Sequence, residues 1–429
     1  MNRNFCYAPF VHIYLHDNYD RKLCCLSKDG HDINKIIPDD LHEYWTSEFY
    51  QTARKKMINN EVVSSCEHCY EREATGEFSE RDRYTEIWKD KNIKLDLIHG
   101  NQWGTPLDIE LRPGNLCNLK CRMCVPNASS QLDKEVKNNK SIFSSIYTSV
   151  SYLETDGYID INSDNIEYLL QRADHINQIK LLGGEPTIMP ETIEILETLI
   201  EKNILDMFLH ITTNCTNTNE QFLKLIQNFN NVCYNFSVDG IGKPLEYIRY
   251  PLRSNKVADN IIVLCRNLSQ GSSAILHTLQ AYSLKNTIDF LNWVVELHHI
   301  LRESNETEVD LGLIVSDLKG PDWASIQCLP IDVRNKWIDE IFDSNVLDGF
   351  SNDFNEVADS DFLLVESNIE EVLCRLRADK TQYSTNLLID TTKRFDVVRR
   401  QHIKDFIPEI WEIMDQDYYN NLDILKQSN

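Results

Sequence analysis

Six short apolar runs lie between residues 107 and 315, separated by stretches with helical periodicity, and few folds can absorb that alternation. The runs are LDIEL (107–111), INQIKLL (176–182), MFLHITT (207–213), VCYNFSVD (232–239), AILHTLQAY (274–282) and VDLGLIV (309–315). Several are almost continuously apolar, as strands covered on both faces of a parallel sheet are. The segment opening at Pro190 sets Ile193, Leu196 and Ile200 at i, i+3 and i+7, with proline in the first helical turn. After Asn286, Phe290, Leu291, Val294 and Leu297 share a second helical face. Repeated strand–helix units predict a parallel sheet with right-handed crossovers. Six units are too few to close an eight-stranded barrel. The expected fold is therefore α/β, a partial (β/α)6 TIM-like barrel with an open side, over residues 105–330. A polar insertion at 140–172 breaks the pattern, and residues 331–429 form a helical C-terminal extension with a frayed end.

Thirteen cysteines are distributed unevenly along the 429 residues. Cys6, Cys24, Cys25, Cys66, Cys69, Cys117, Cys121 and Cys124 crowd the first 124 positions. Cys215, Cys233, Cys265, Cys328 and Cys374 are isolated and read as small buried hydrophobes. An odd count in a chain whose first residues lack the apolar core of a cleavable signal argues against a disulfide framework and for soft-metal binding in a reducing cytoplasmic setting. No apolar run approaches the ~20 residues of a membrane helix. Sixty-seven acidic against 43 basic residues give a net charge of −24, a balance that works against sequence-independent nucleic-acid binding.

Directly after the first predicted strand comes RPGNLCNLKCRMCVP, in which Cys117, Cys121 and Cys124 follow a C-x3-C-x2-C spacing. Three thiolates from one loop can hold three corners of a cubic iron–sulfur cluster and leave the fourth iron to an external chelator. A zinc knuckle is the alternative, although closed structural zinc sites take a fourth nearby ligand and none follows in this loop. Gly183-Gly184-Glu185-Pro186 ends the second strand, where glycines allow close backbone approach to a ligand. Thr213-Asn214 ends the third strand, and Ser237-Val238-Asp239-Gly240 ends the fourth. Gln280 and Tyr282 stand near the end of the fifth. All these positions equally suit turns and helix caps.

Taken in order, the cysteine loop and the GGEP turn resemble the radical SAM family. The resemblance implies a [4Fe-4S] cluster on Cys117, Cys121 and Cys124 that binds S-adenosylmethionine through its open iron. It further implies that Met123 packs near the adenine and that Gly183, Gly184, Glu185 and Pro186 receive the methionine ammonium. Thr213, Asn214, Ser237 and Asp239 would contact the sugar or carboxylate of the cofactor.

Cys66-x2-Cys69 is a short chelating pair that alone serves zinc or redox chemistry. With Cys6 and one of the adjacent Cys24-Cys25 it completes four thiolates. As neighbours on a strand the two point to opposite faces, so one ligates and the other packs away. Trp45, Phe49, Ala53 and Met57 predict one helical stripe, with Arg54-Lys55-Lys56 as a solvated face. Cys6-Tyr7-Ala8-Pro9-Phe10, the paired cysteines, the tryptophan helix and the closing CxxC resemble the twitch domain, a shortened relative of the SPASM domain. That resemblance implies an auxiliary [4Fe-4S] cluster in an N-terminal domain at 1–100, and its spacing favours Cys24. Such a domain usually follows the barrel, whereas here it precedes it. The RFDxxRxQ-type helix near the C-terminus also looks like twitch-containing proteins.

Together the resemblances imply an enzyme that cleaves S-adenosylmethionine reductively to a 5′-deoxyadenosyl radical, which abstracts hydrogen from a peptide or small-molecule substrate. Four cysteines on the auxiliary cluster favour electron transfer and hence a net oxidation, served by a low-potential donor such as flavodoxin or ferredoxin. A radical epimerase or peptide cross-linking enzyme would use the same site. A non-catalytic interaction protein with zinc at both cysteine groups is the reading from another class.

Overall fold

In a computed structural model the chain is described at residues 4–15, 22–27, 40–74, 76, 78–89, 104–147, 163–171, 176–268, 271–303, 309–318, 320–347 and 369–422. The strands are β1 (His12–Leu15), β2 (Asp108–Leu111), β3 (Gln178–Leu181), β4 (Phe208–Thr213), β5 (Asn231–Ser237), β6 (Gly271–Leu279) and β7 (Val309–Asp317), and they follow one another in chain order in the sheet. All six expected strands are present. The seventh, β1, comes from the cysteine-rich N-terminal segment. The α/β class and parallel sheet expected from the sequence are therefore found, with no helix among the described residues long and apolar enough to cross a membrane. The chain divides into two compact units.

The first unit comprises residues 1–114, 156–211 and 228–231. Its strands run parallel in register, with His12 opposite Asp108, Asp108 opposite Gln178, and Gln178 opposite Phe208. Side chains alternate along each strand. Ile13, Leu15, Ile109, Leu111, Ile179, Leu181, Leu209 and Ile211 fall on one face and are all buried. The other face carries His12, Tyr14, Asp108, Glu110, Gln178, Lys180 and His210. His12 Nδ1 lies 3.2 Å from Asp108 Oδ2, both fully buried. Burial alone would raise the Asp108 carboxyl, but Lys180, His12 and Gln178 outweigh it and hold the group well below the ordinary range.

Several local expectations for this unit are revised. The tryptophan stripe is split: Leu41–Trp45 ends at Thr46, and a second helix, Glu48–Ile58, begins after Ser47. Arg54 is not solvated. It is fully buried, donates from Nε to Pro9 O at 2.6 Å and from Nη1 to Trp45 O at 3.0 Å, and lies 4.2 Å from the Trp45 ring. Lys55 alone of that triplet is exposed. The helix Pro190–Glu201 buries Thr192, Ile195, Leu196 and Leu199, so Ile193 and Ile200 flank its buried face rather than centre it. Residues 148–162 and 172 of the polar insertion, and 423–429 of the expected frayed end, lie outside the described residues.

The second unit comprises residues 115–155, 212–227 and 232–429. Ala274 pairs with Asn235, and the full length of β6 pairs with β7 from Gly271–Val309 to Leu279–Asp317, all parallel. The helix Thr287–Glu303 buries Phe290, Leu291, Val294 and Leu297 as expected, together with His298 and Leu301. C-terminal helices occupy Ile331–Asp343, Ile369–Ala378, Thr385–Arg399, Pro408–Ile413 and Gln416–Asn421. Cys215, Cys233, Cys265 and Cys328 are buried, but Cys374 is exposed. Its helix buries Ile369, Val372, Leu373 and Leu376, and Cys374 sits off that face.

Candidate functional site

The cysteine loop leaves β2 and is pinned at both ends by local polar contacts. After the loop, Ser129 caps the helix Ser130–Asn138 by accepting from the Leu132 amide, and its hydroxyl donates to Leu119 O at 2.6 Å. The Ser130 hydroxyl accepts from the Cys117 amide at 3.2 Å, and the Ser130 amide donates to Asn115 O at 2.7 Å. Amides of Lys120 and Arg122 donate to Tyr250 O at 2.6 Å and Ile248 O at 2.8 Å, and the Cys124 amide closes a turn onto Cys121 O. Bonds within the segment and to the backbone at Ile248 and Tyr250 thus fix a loop that contains no regular structure of its own.

Cys117 and Cys121 are buried and Cys124 is half-buried. Cys117 Sγ accepts from the Leu119 amide at 3.4 Å and lies 3.9 Å from Asn214 Nδ2. Burial pushes the Cys121 thiol up, while the Arg249 guanidinium opposes that rise. Sulfur that receives N–H donors and faces a cation suits thiolate ligands of an iron–sulfur cluster, whose potential such contacts tune. The donor set of this loop therefore fits the group its spacing implies. Among the described residues, no three His, Cys, Asp or Glu side chains converge as ligands of a single metal ion.

Other expected residues of this unit lie at strand ends. Thr213 and Asn214 are buried, and Asn214 Nδ2 donates to Asn118 Oδ1 at 3.0 Å. Asn118 Nδ2 in turn donates to Thr216 Oγ1 at 2.8 Å. Ser237 and Met123 are half-buried. Asp239 is fully buried: Oδ2 accepts from Arg249 Nε at 2.7 Å and Oδ1 from the Thr278 amide at 3.0 Å. Gln280 and Tyr282 are also buried, and the Tyr282 hydroxyl meets Thr392 Oγ1 at 2.8 Å.

In the first unit the GGEP turn is tightly built. Gly183 has φ +135°, and a Cβ there would stand 2.8 Å from Gly114 O. The Gly184 amide donates to that same carbonyl at 3.1 Å. Only glycine fits this approach. Glu185 is buried, and its Oε1 accepts from the Thr187 amide at 3.2 Å and hydroxyl at 2.6 Å, while Pro186 starts the turn that follows.

The N-terminal cysteines lie in the same unit. A single turn, Ser64–Cys66, runs into the helix Glu67–Ala74, so Cys66 and Cys69 stand three residues apart on one side. Cys6 is within electrostatic reach of Cys66, Cys69 and Cys24, and Cys24 of Cys69. Cys6, Cys24 and Cys69 are buried and Cys66 half-buried. Cys25 is the exposed member of its pair, with Sγ 3.9 Å from Glu80 Oε1. The two neighbours diverge, but not through strand alternation. They occupy a turn in which the Ser27 hydroxyl accepts from the Leu23 amide at 2.8 Å and donates to Cys24 O at 3.1 Å. The Tyr44 and Tyr50 hydroxyls each reach Lys22 O at 3.4 Å, tethering that turn to the tryptophan helices.

Arg122, Glu135, Arg249, Asp396 and Arg399 were not anticipated as site residues. The only local signals were a cation between two ligand-type cysteines and the RFDVVRRQ run.

Residues 111–282 match the model of the Radical SAM superfamily. No curated protein is significantly similar to the chain. Among solved structures it is similar to Streptococcus suis SuiB, at 13% identity and a TM-score of 0.34, covering 75% of this chain and 67% of that one. SuiB bound to S-adenosylmethionine gives 12% identity and a TM-score of 0.33, with 75% and 69% covered. SuiB bound to the precursor peptide SuiA gives 14% identity and a TM-score of 0.33, with 87% and 80% covered. Likeness this loose does not bear on the substrate.

Proposed function

We propose that this chain is a two-cluster radical SAM oxidoreductase, acting on a peptide or small molecule by net oxidation. The observation that carries the reading is the C-x3-C-x2-C loop leaving β2 inside the matched segment. Cys117, Cys121 and Cys124 would hold three irons of a [4Fe-4S] cluster, and Cys6, Cys24, Cys66 and Cys69 would hold a second. Once bound, these groups would supply one-electron cleavage of S-adenosylmethionine to a hydrogen-abstracting 5′-deoxyadenosyl radical, and an acceptor for the electron the substrate loses.

The chain's own residues do the positioning. Leu119 N–H and Asn214 would donate to the Cys117 thiolate, and Arg249 would offset negative charge at Cys121. The Gly183-Gly184 backbone and Glu185 are the candidates for the methionine ammonium, with Pro186 shaping the turn and Met123 beside the adenine. Thr213, Asn214 and Ser237 are the candidates for its sugar and carboxylate. Asp239 already receives Arg249 and the Thr278 amide, which supports a role in setting that guanidinium. In domain terms we assign 1–100 to the auxiliary cluster, 105–330 to the radical core and 331–429 to a helical extension. Oxygen-labile clusters and free thiols support a cytoplasmic setting with a flavodoxin- or ferredoxin-type donor.

The test is anaerobic reconstitution with iron, sulfide, S-adenosylmethionine and dithionite. 5′-Deoxyadenosine should form with the wild type and vanish with Cys121→Ala. Intact clusters without 5′-deoxyadenosine in the wild type would overturn the reading.

A further inference from the structure

The helix Thr385–Arg399 has an unusual buried face: alongside Leu388, Ile389 and Phe395 it buries Arg394, Asp396 and Arg399. Charges with no partner at such positions would strongly destabilise the fold. Two of them are matched by side chains on or just after the cysteine loop, in the same compact unit.

Arg122, between Cys121 and Met123, is fully buried. Its Nη2 donates to Asp396 Oδ1 at 2.7 Å and Gln401 Oε1 at 3.0 Å, and its Nε to Tyr247 O at 3.0 Å. The guanidinium lies 3.5 Å from the Tyr247 ring centroid. Asp396 also accepts from the Tyr247 and Tyr419 hydroxyls at 2.8 Å and the Ile403 amide at 2.9 Å, so both carboxylate oxygens are occupied. The Arg122 carbonyl accepts from Trp323 Nε1 at 3.3 Å. A second tether lies beside it. Glu135 accepts from Arg399 Nη2 at 2.7 Å and pairs with Lys120 Nζ at 2.9 Å. In sequence Cys121 is thus flanked by two cations, each tied into the C-terminal helix, one directly and one through Glu135.

We propose that the helix Thr385–Arg399 is a clamp on the cysteine loop, with Arg122 and Lys120 as positioning residues. The clamp sets the loop's shape before any cluster binds and places one neutralised buried cation beside Cys121. This rests on the radical SAM reading for its second consequence only, the effect on cluster potential. In isolation the extension would lose its charge partners, and the loop would lose its anchor.

The experiment uses the full chain. Hydrogen exchange over residues 115–125 is measured by mass spectrometry in cluster-free protein for wild type, Asp396→Asn, Gln401→Ala and, as a control, Arg375→Gln, which breaks the ion pair between a C-terminal helix and Asp317 of β7 and involves no loop residue. Exchange should rise about tenfold or more with Asp396→Asn and a few-fold with Gln401→Ala, while Arg375→Gln leaves it at the wild-type level. In reconstituted protein, Asp396→Asn should move the midpoint potential of the loop cluster upward, since a buried cation is left unneutralised. Arg122→Gln should move it downward. Simple loosening would move both the same way. Wild-type exchange in a folded Asp396→Asn, equal loosening by Arg375→Gln, or shifts of the same sign would each overturn the clamp. If Asp396→Asn does not fold, the milder Gln401→Ala decides. If the wild type assembles no loop cluster, the radical SAM reading fails, and the exchange measurement still tests the clamp.

Discussion

Asp239 Oδ2 lies 2.7 Å from Arg249 Nε, with the carboxylate fully buried and the guanidinium nearly so. Asp239 follows β5 by two residues, and both members of the pair are within electrostatic reach of the Cys121 thiol. Removing one member leaves the other charge stranded in a low dielectric, which is far costlier than the pair's net worth. Asp239→Ala should therefore destabilise the protein by about 3–5 kcal/mol in chemical denaturation. The doubly neutral Asp239→Asn/Arg249→Gln should recover a good part of that loss. A single-mutant cost under about 1 kcal/mol would show that water reaches Arg249.

Arg54 gives a second stability test, in the first unit. Its guanidinium ties Pro9, at the start of the segment that leads into β1, to the carbonyl that ends the Trp45 helix. Arg54→Ala should cost about 3 kcal/mol, because it orphans two buried carbonyls and strips the Trp45 face. Lys55→Ala, on the exposed side of the same helix, should stay within about 0.5 kcal/mol. Equal losses from the two substitutions would contradict the burial of Arg54.

The cysteine pair at the N-terminal turn makes a compositional prediction. Cys24 is buried and grouped with Cys6 and Cys69, whereas Cys25 is exposed, its Sγ 3.9 Å from Glu80 Oε1. With two clusters assembled, Cys24→Ser should lose roughly half of the bound iron and Cys25→Ser should lose none, as read by iron analysis after anaerobic reconstitution. Cys66→Ala should behave as Cys24→Ser while still yielding 5′-deoxyadenosine. Iron loss from Cys25→Ser instead would reverse the ligand assignment.

These tests separate what could be read from the sequence from what could not. The six later strands were legible because their cores are apolar runs, and the cysteine loop because its ligand-type residues lie within eight positions of one another. β1 was not: HIYL alternates a polar face, His12 and Tyr14, with a two-residue aliphatic one, and its partner β2 comes more than ninety residues later. The turn at Cys24-Cys25 was misread as strand because the cause of the turn is one hydroxyl, Ser27, whose bonds leave no periodic trace. Arg54 looked solvated because charge in a helix usually is, and only the Pro9 carbonyl reveals otherwise. Arg122 with Asp396, and Glu135 with Arg399, are long-range pairs whose partners have no local pattern to announce them.

His277, on β6, is buried with its ring stacked 4.1 Å from Phe290 and Nδ1 at 3.2 Å from Val238 O. Burial lowers its pKa to about 4; Asp239 and the Val238 carbonyl pull it up, and Arg249 pushes it down again. In the unfolded chain the imidazole titrates near ~6.5. Between those two values the unfolded state binds the extra proton, so stability falls as pH falls. The neutral ring costs nothing above pH ~6.5, and the penalty grows to roughly 3 kcal/mol by pH ~4. His210 on β4, lowered to about 3 by burial and Lys180, acts in the same direction. Denaturant midpoints measured from pH 7 to pH 4 should decline more gently for His277→Gln than for wild type, with the two curves converging toward acid even if the variant starts lower at pH 7. Parallel curves over that window would mean that the ring protonates in the folded protein as readily as in the unfolded one, and that water reaches the strand face beside Asp239.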